Sequence, residues 1–510
     1  GAGGPTPLLR TPPPLVVLIV IDQLPAWSFE ARRPLLKGGI ARLLSRGRYY
    51  ADAEYPYAST YTAPGHAALG SGAPPAVTGI IGNEWWDAAV GREIKAVDDP
   101  AGGTSAARLR VDGVADVLLR ARPRSRAVGV ALKDRSAILA LGHGGEPVWY
   151  DETRPAMVGR GGAPAWLGAL ADPATIAERA RTVWLPSVPT GWLATWSGGV
   201  DDADGELAVK GWTASFPHAT ATLAAPASGL PVTPAGNRLV IDGALAALAS
   251  FDLHDGAADY LAVSLSAHDY IVHAFGPDSW EAWDAFVRLD RDLGELIAAL
   301  DAAAGRDGWA MILTADHGGP SSPEHRRAAG LAGARLTFDD IDAVAEAAAA
   351  TTAGPGPWIA ATRPPYVYLD PRATSLAADT RQRTITAIAA ALARTPGLDG
   401  AWPTAALAGD CDRRDGDERA FCLSIDRARS GEVLYSPADG TAVVKALSPD
   451  TVTHGSVHRD DREVPVLLIA PGVRGGARGA DVSTLQVAPT LARLLRVPSP
   501  PAAAEPALPL

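Results

Sequence analysis

Residues 16–22 read Val-Val-Leu-Ile-Val-Ile-Asp, an apolar run rich in β-branched residues that ends in a carboxylate. Such a run is typical of a strand buried on both faces of a parallel sheet. Residues 280–303 instead carry apolar side chains at the i, i+3/i+4 spacing of an amphipathic helix. Further buried strands are predicted at 127–131, 260–265, 310–314 and 464–469. The alternation predicts an α/β fold with a largely parallel central sheet and helices on both faces.

The chain of 510 residues exceeds the usual size of a single compact core. We therefore predict one large domain with two insertions. The segment over about 138–238 is rich in Trp, Gly and Pro, and we expect it to form an insertion that caps the carboxyl-end edge of the sheet. A second insertion over about 320–450 is expected to form a smaller α/β subdomain. The end of the Pro/Ala-rich tail is expected to be disordered. Shorter helices are predicted near 34–45, 380–393 and 486–495.

Composition narrows the classes of partner and compartment. The net charge of −11 offers no basic excess for nucleic-acid binding. Cys411 and Cys422 lie in a polar segment without the further Cys or His of a zinc knuckle, which favours a local disulfide and an oxidising compartment. We therefore expect a periplasmic or secreted protein whose signal peptide has been removed. The sequence contains no run of about 18 apolar residues, so it predicts no membrane span.

Acidic residues and histidines gather where the predicted strands end. Asp269 and His273 have the i, i+4 spacing that places two ligands on one side of a helical turn. Taken singly, each Asp fits a helix cap or a turn, and each His fits a hydrogen-bonded, partly buried side chain. Together, mixed Asp and His ligands suit zinc, and six of them can hold two ions that clamp a transferring phosphoryl group. The candidate ligands are Asp22, Asp269, His273, Asp316, His317 and His454.

A hydroxyl two residues before a proline marks the segment 61–66, Tyr-Thr-Ala-Pro-Gly-His. Threonine is a good N-cap and proline is tolerated in the first turn, so Thr62 is predicted to cap a helix. Backbone N–H groups at a helix N-terminus favour a phosphate or another anion. Taken alone, the segment is more typical of a plain capped helix after a loop. We interpret His66 as a structural residue.

The ordered set of motifs resembles the alkaline phosphatase superfamily. More closely, it is similar to the phosphate-irrepressible bacterial alkaline phosphatases that use a threonine nucleophile, relatives of the nucleotide pyrophosphatase/phosphodiesterases. The motifs that carry the resemblance span nearly the whole chain. They are Ile21-Asp22, Thr62-Ala63-Pro64-Gly65-His66, Gly82-Asn83-Glu84-Trp85, Lys133-Asp134-Arg135, Asp269-x3-His273, Thr314-Ala315-Asp316-His317-Gly318 and His454-Gly455-Ser456.

The resemblance implies an enzyme with two Zn²⁺ ions. Asp269, His273 and His454 would hold one ion. Asp22, Asp316, His317 and the Thr62 oxygen would hold the other. His458 is an alternative to His454, and the following glycine favours His454. Thr62, rather than Thr60, matches the nucleophile that forms a phosphothreonine intermediate.

The resemblance also implies that Asn83, Lys133 and Arg135 bind the phosphoryl oxygens. Lys133 and Arg135 are spaced i, i+2 and would point the same way on an extended segment. Cationic donors favour the dianion of a monoester, so the expected substrates are small-molecule phosphate monoesters. A diesterase or nucleotide pyrophosphatase on the same scaffold is the alternative, ahead of a non-catalytic periplasmic zinc- or phosphate-binding protein. A sulfatase is excluded because threonine cannot form formylglycine. Trp85 and Trp86 fit either stacking on a leaving group or core packing.

Overall fold

A nine-stranded sheet forms the centre of the protein. The computed structural model describes residues 12–447, 449–478 and 481–510. The strands of the sheet are β1 (Leu15–Ile21), β2 (Arg48–Glu54), β3 (Ala127–Ala131), β4 (Glu146–Asp151), β5 (Ala156–Gly159), β6 (Asp259–Leu265), β7 (Trp309–Thr314), β8 (Glu463–Ile469) and β9 (Gly476–Arg478). Their spatial order is β9-β2-β8-β7-β1-β6-β3-β4-β5.

Five neighbouring strands, β7-β1-β6-β3-β4, pair in parallel and form the core of the sheet. The outer strands β8 and β5 pair antiparallel with their inner neighbours. β1 is in register with β6 from Leu15↔Asp259 to Ile21↔Leu265, and every residue of both strands is buried. The predicted fold class is confirmed. The parallel register brings the carboxyl ends of β7, β1 and β6 to one edge, which is where ligand sites form in such sheets.

Helices cover both faces of this sheet. The predicted helix at 280–303 is confirmed as Trp280–Ala304, capped by the Ser279 side chain. The α-helices are Ala26–Arg32, Gly39–Arg46, Thr62–Ser71, Pro75–Thr78, Val114–Ala121, Asp134–Leu139, Pro173–Arg179, Thr190–Ser197, Pro226–Gly229, Pro234–Ser250, Ala267–Phe275, Trp280–Ala304, Pro323–Ala328, Phe338–Ala353, Ala378–Leu392, Thr404–Leu407, Gly416–Ser424, Arg459–Arg462 and Val487–Leu495.

The helix predicted near 34–45 starts later than expected, at Gly39. A short 3₁₀ turn covers Arg33–Leu35, and the chain then bends before the helix. At this bend the Asp290 carboxylate accepts hydrogen bonds from the backbone N–H groups of Lys37, Gly38 and Ile40. A long-range partner thus sets this helix start, and local sequence does not reveal it.

The segment predicted as the first insertion contributes to the main sheet. Residues 146–159 form β4 and β5 at its edge, and the rest of the segment folds into short helices and a two-stranded ribbon, Val183–Trp184 with His218–Ala219. Edge strands bury fewer residues than central ones, so their sequence pattern is weak. A second short ribbon, Glu84–Asp87 with Arg92–Lys95, lies outside this segment.

The second segment, 320–450, builds a smaller sheet with its own apolar cluster. Its antiparallel strands are Ile359–Arg363, Tyr366–Leu369, Val433–Pro437 and Leu398–Pro403. A parallel pair, Ala334–Thr337 with Thr441–Val444, lies beside it. Cys411 and Cys422 form the expected disulfide.

The C-terminal tail is ordered against the core, so the expectation of disorder is wrong. Leu508 is 1% exposed, and its backbone N–H donates to Thr490 Oγ1 at 2.9 Å. The backbone N–H of Ala504 donates to the carbonyl of Gly72, at the end of the helix Thr62–Ser71. The scattered apolar residues of the tail therefore pack against segments that are distant in sequence. No helix in the described ranges is both long and apolar enough to cross a bilayer.

Candidate active site

Thr62 is the first residue of the helix Thr62–Ser71, all of which is buried. The N-cap is Tyr61, so the helix starts one residue earlier than the sequence predicted. The Thr62 hydroxyl is 3.5 Å from His317 Nε2 and 3.4 Å from Lys133 Nζ. A hydroxyl at the positive end of a helix thus faces an imidazole and an ammonium group.

Gly65 lets this helix lie directly against the chain that leaves β7. A Cβ atom on Gly65 would lie 2.1 Å from the carbonyl oxygen of Asp316. Only the absence of a side chain permits such an approach. The motif residues after Thr62 therefore set its distance to the carboxyl end of β7.

One Asp/His set lies at the ends of the neighbouring strands β1 and β7. Asp22 follows β1, while Asp316 and His317 follow β7. His317 Nε2 is 3.3 Å from Asp22 Oδ1 and 3.6 Å from Asp316 Oδ2, and all three side chains are fully buried. One ligand atom from each lies within 4.8 Å of the others, which is compatible with a shared cation.

A second set lies beside it, after β6. Asp269 and His273 occupy one side of the helix Ala267–Phe275, as their spacing predicted. His273 Nε2 is 3.3 Å from both Asp269 Oδ1 and His454 Nε2. The His454 ring stacks on that of His317 at a centroid distance of 3.7 Å, so the two sets are contiguous.

The three histidines turn the same nitrogen towards the site. In each ring Nδ1 lies 2.7–2.9 Å from a backbone carbonyl, so Nδ1–H donates to that carbonyl and Nε2 faces the carboxylates. The carbonyls belong to Gly318 for His317, Val452 for His273 and Thr60 for His454. This arrangement is common for histidines that bind metals.

Buried oxygens without partners support the same interpretation. Asp22 Oδ1, Asp269 Oδ1 and Asp316 Oδ2 accept no hydrogen bond from the described residues. A buried carboxylate oxygen is costly unless a hydrogen bond or a cation satisfies it. The donor set and these oxygens fit divalent cations with mixed nitrogen and oxygen ligands.

Lys133 joins the two sets, because its Nζ lies 2.6 Å from both Asp22 Oδ2 and Asp269 Oδ2. Burial lowers the pKa of Lys133, but the two carboxylates outweigh it and raise the pKa above its ordinary value. Burial and Asp269 act to raise the pKa of Asp22, yet Lys133 and His317 hold it below its usual range. Burial lowers the pKa of His317, while Asp316 and Asp22 raise it to about 9. The site therefore has a field that attracts positive charge.

Asn83 lies beside the Thr62 helix, and Arg135 lies two residues after Lys133. Asn83 Oδ1 accepts from the backbone N–H of Ala63 at 2.8 Å, which leaves the side-chain NH₂ free to donate elsewhere. Arg135 does not share an extended segment with Lys133, because a helix begins at Asp134. Arg135 Nη1 lies 4.0 Å from Asp134 Oδ1, and Arg135 Nε has no hydrogen-bond partner among the described residues.

The alternative candidates for the metal ligand and the nucleophile make other contacts. His458 Nε2 faces the carbonyl of Pro437 at 2.8 Å and the carboxylate of Asp399, not Asp269. Thr60 Oγ1 donates to the carbonyl of Ser456. Trp85 is 2% exposed in an apolar cluster, which supports the core-packing interpretation for that ring, whereas Trp86 is only partly buried.

His66 has a structural role, as the sequence analysis interpreted it, and the structure shows which segments it joins. Its Nδ1 lies 2.9 Å from the carbonyl oxygen of Thr62 and 3.3 Å from Asp316 Oδ2, and its Nε2 lies 2.9 Å from Ser264 Oγ. The ring therefore ties the first helical turn to the ends of β6 and β7. The available signal was its position four residues after Thr62, which places it on the same helix face.

A cleft of about 360 Å³ opens from this centre towards the smaller sheet. Its lining includes Asn83, His273 and His454 beside the Asp/His sets, and Phe338 and Arg363 from segment 320–450. The cleft therefore reaches His273 and His454 of the Asp/His sets and Tyr61, the residue before Thr62.

Comparisons with known proteins agree with this architecture. Residues 16–459 match the family model described as type I phosphodiesterase/nucleotide pyrophosphatase. The chain is 34% identical to the alkaline phosphatase PhoV of Synechococcus elongatus over 61% of this chain and 60% of PhoV. It is 29% identical to the alkaline phosphatase PhoK of Sphingomonas over 97% of this chain and 90% of PhoK.

The fold also matches a solved structure over almost its whole length. The crystal structure of the alkaline phosphatase PafA superposes with a TM-score of 0.87 at 26% identity, covering 98% of this chain and 99% of PafA. The resemblance stated from the motifs is confirmed. The chain belongs to the type I phosphodiesterase/nucleotide pyrophosphatase family and is an enzyme of the alkaline phosphatase superfamily.

Proposed function

We propose that this protein hydrolyses small-molecule phosphate monoesters with Thr62 as the nucleophile and two Zn²⁺ ions as cofactors. Asp22, Asp316, His317 and the Thr62 oxygen would hold one ion. Asp269, His273 and His454 would hold the other. The observation that carries the proposal is the Thr62 hydroxyl, buried at a helix N-terminus and 3.5 Å from His317 Nε2 beside both Asp/His sets.

Zinc bound at these sets would favour ionisation of a neighbouring hydroxyl and neutralise charge on a transferring phosphoryl group. Thr62 Oγ1 gives up its proton and attacks phosphorus, the bond to the ester oxygen breaks, and the departing alkoxide takes up a proton to leave as the alcohol. The product is a phosphothreonine. A water oxygen then attacks phosphorus, Thr62 leaves, and inorganic phosphate is released.

Three hydrogen-bond donors would bind the remaining phosphoryl oxygens. Asn83 offers its NH₂ group, because its oxygen is held by Ala63. Lys133 and Arg135 offer positive charge, which matters most where charge spreads over the oxygens in the transition state. The N–H groups of the first helical turn add to the same field.

Thr62→Ala tests the nucleophile. We expect kcat on p-nitrophenyl phosphate to fall by about 10³-fold or more, and the pre-steady-state burst of product to disappear. Thr60→Ala is the matched control, because Thr60 carries the same hydroxyl but points it at Ser456. A Thr62→Ala variant that keeps its burst would contradict the proposal. The absence of any turnover by the zinc-loaded wild type would support the non-catalytic alternative.

A phosphodiesterase is the second candidate, favoured by the description of the matching family. The two are separated by kcat/KM for p-nitrophenyl phosphate and for its bis ester. We expect wild type to prefer the monoester, and Lys133→Ala and Arg135→Ala to lose monoester activity preferentially. A diester preference that survives both substitutions would overturn the monoesterase proposal.

We also propose a periplasmic or secreted location. The Cys411–Cys422 disulfide supports it, since such bonds persist in oxidising compartments.

A further inference from the structure

The residue after the candidate ligand Asp22 has an uncommon backbone conformation. Gln23 has a φ of 58°, in the left-handed region that favours glycine. Of the described non-glycine residues with a positive φ, Gln23 alone is buried, with 0% exposure. Such a conformation costs free energy and persists where the surrounding structure requires it. This strain lies where the chain leaves β1, beside the candidate active site.

The peptide group between Asp22 and Gln23 is held at both of its polar atoms. Its N–H, which belongs to Gln23, donates to Asp316 Oδ1 at 3.2 Å. Its carbonyl oxygen, which belongs to Asp22, accepts from His268 Nδ1 at 2.9 Å. Asp316 follows β7, and His268 immediately precedes Asp269 after β6. One peptide group therefore joins the carboxyl ends of three neighbouring strands, each of which is followed by a candidate ligand.

The hydrogen bond from Gln23 determines which oxygen of Asp316 is left for a cation. Oδ1 accepts from two backbone N–H groups, that of Gln23 at 3.2 Å and that of His317 at 3.1 Å. Oδ2 accepts no hydrogen bond from the described residues and lies 3.6 Å from His317 Nε2. His66 Nδ1 lies 3.3 Å from Oδ2 but directs its N–H to the carbonyl of Thr62. The backbone thus satisfies one oxygen of Asp316 and leaves the other as a ligand.

The chain on both sides of Gln23 fixes the direction of this N–H group. Before Gln23, β1 is paired with a strand on each side. After it, Trp27 Nε1 donates to the carbonyl of Gly319 at 3.0 Å. A Cβ atom on Gly319 would lie 2.7 Å from Gln23 Nε2, so the two segments are in direct contact. Because the flanking chain is held in this way, a change of φ at Gln23 would turn its N–H away from Asp316.

The side chain of Gln23 does not explain why the strained conformation is kept. Both Oε1 and Nε2 are buried without a hydrogen-bond partner among the residues that the structure describes. A buried amide without partners destabilises a protein. The side chain fills space against Gly319, and the contact with a candidate ligand is made by the backbone N–H alone.

We propose that Gln23 is a positioning residue for metal binding. Its left-handed backbone directs its N–H to Asp316 Oδ1 and thereby aims Asp316 Oδ2 at the cation site shared with Asp22. The inference rests on the metal set of the proposed function, but it does not depend on which residue is the nucleophile. Groups that orient a metal ligand typically change metal affinity by about 10–100-fold when they are lost.

Competition between the zinc-loaded protein and a chromogenic chelator tests this inference without reference to activity. Gln23→Val keeps the N–H, but its β-branched side chain strongly disfavours the left-handed region, so we expect zinc affinity to fall about tenfold or more. Gln23→Asn and Gln23→Gly both tolerate that region and should stay within about threefold of the wild type.

Asp410→Val is the matched control for the cost of a β-branched residue in this conformation. Asp410 has a φ of 53°, but it is exposed and lies beside the disulfide. We expect this substitution to lower Tm and to leave zinc affinity unchanged. The control separates general destabilisation from an effect on the ligand.

Two results would overturn the proposal. One is a wild-type zinc affinity in Gln23→Val. The other is a tenfold loss in Gln23→Gly, which would assign the effect to the amide side chain. If Gln23→Val does not fold, Gln23→Gly still decides between backbone and side chain. A wild type that holds no zinc would instead contradict the proposed function itself.

Discussion

At the residue scale, the site depends on atoms whose positions are fixed by neighbours outside it. Backbone carbonyls of Gly318, Val452 and Thr60 hold the three histidines with Nε2 facing the carboxylates. His66 connects the Thr62 carbonyl to Asp316 Oδ2 in the same way. The preorganisation of such ligands is expected to matter as much as their identity. A test at this scale should therefore move the helix without touching a ligand.

Gly65→Ala is that test. In an ordinary helix the change would stabilise by about 0.5–1 kcal/mol, but here the Cβ would lie 2.1 Å from the Asp316 carbonyl oxygen. We expect kcat/KM to fall by about 10²-fold or more and Tm to drop, because Thr62 moves away from His317. Gly191→Ala is the control, since a Cβ there meets nothing within 4 Å. Equal effects of both substitutions would contradict the close-approach argument.

At the element scale, the helix Thr62–Ser71 is held at both ends by distant parts of the chain. Its first turn contacts the segment after β7, and its C-terminal end meets the tail at Gly72 and Ala504. The tail in turn packs on the helix Val487–Leu495, with Leu508 buried in the main apolar cluster. The tail thus supports the helix that presents Thr62.

Leu508→Ala measures the contribution of this packing. Loss of a fully buried leucine side chain costs about 2–5 kcal/mol, so we expect a clear fall in the free energy of unfolding by denaturant titration. Leu447→Ala makes the same chemical change at a side chain that is 102% exposed, and should be near neutral. A neutral Leu508→Ala would mean that the tail is not packed in solution.

At the scale of the whole molecule, the site collects buried acids from positions far apart in the chain. Asp22, Asp269 and Asp316 follow three neighbouring strands, and Lys133 alone among the described lysines bridges two of them. Without further cations, three buried carboxylates share one ammonium group and the histidines. Cation binding should therefore stabilise the whole fold rather than only the site.

Metal removal tests this coupling. We expect chelation to lower Tm by about 10 °C and abolish activity, and added Zn²⁺ to restore both. The Thr62→Ala variant should keep most of the zinc-dependent gain in Tm, because the six Asp and His side chains proposed as ligands remain. Asp269→Asn should lose much of it. A Tm insensitive to chelation would argue against metals at these sets.

The sequence alone determined the α/β class, the buried parallel strands, the disulfide and the Asp/His spacing, because periodicity and strand-end carboxylates are local patterns. It also carried the motif order that identified the family. Only the tertiary structure decided how Lys133 links the two Asp/His sets and how His66 ties the Thr62 helix to β6 and β7. It also decided how the tail packs and that residues 146–159 join the sheet. These features rest on contacts between residues far apart in sequence, where burial and close packing, not local propensity, set the free energy.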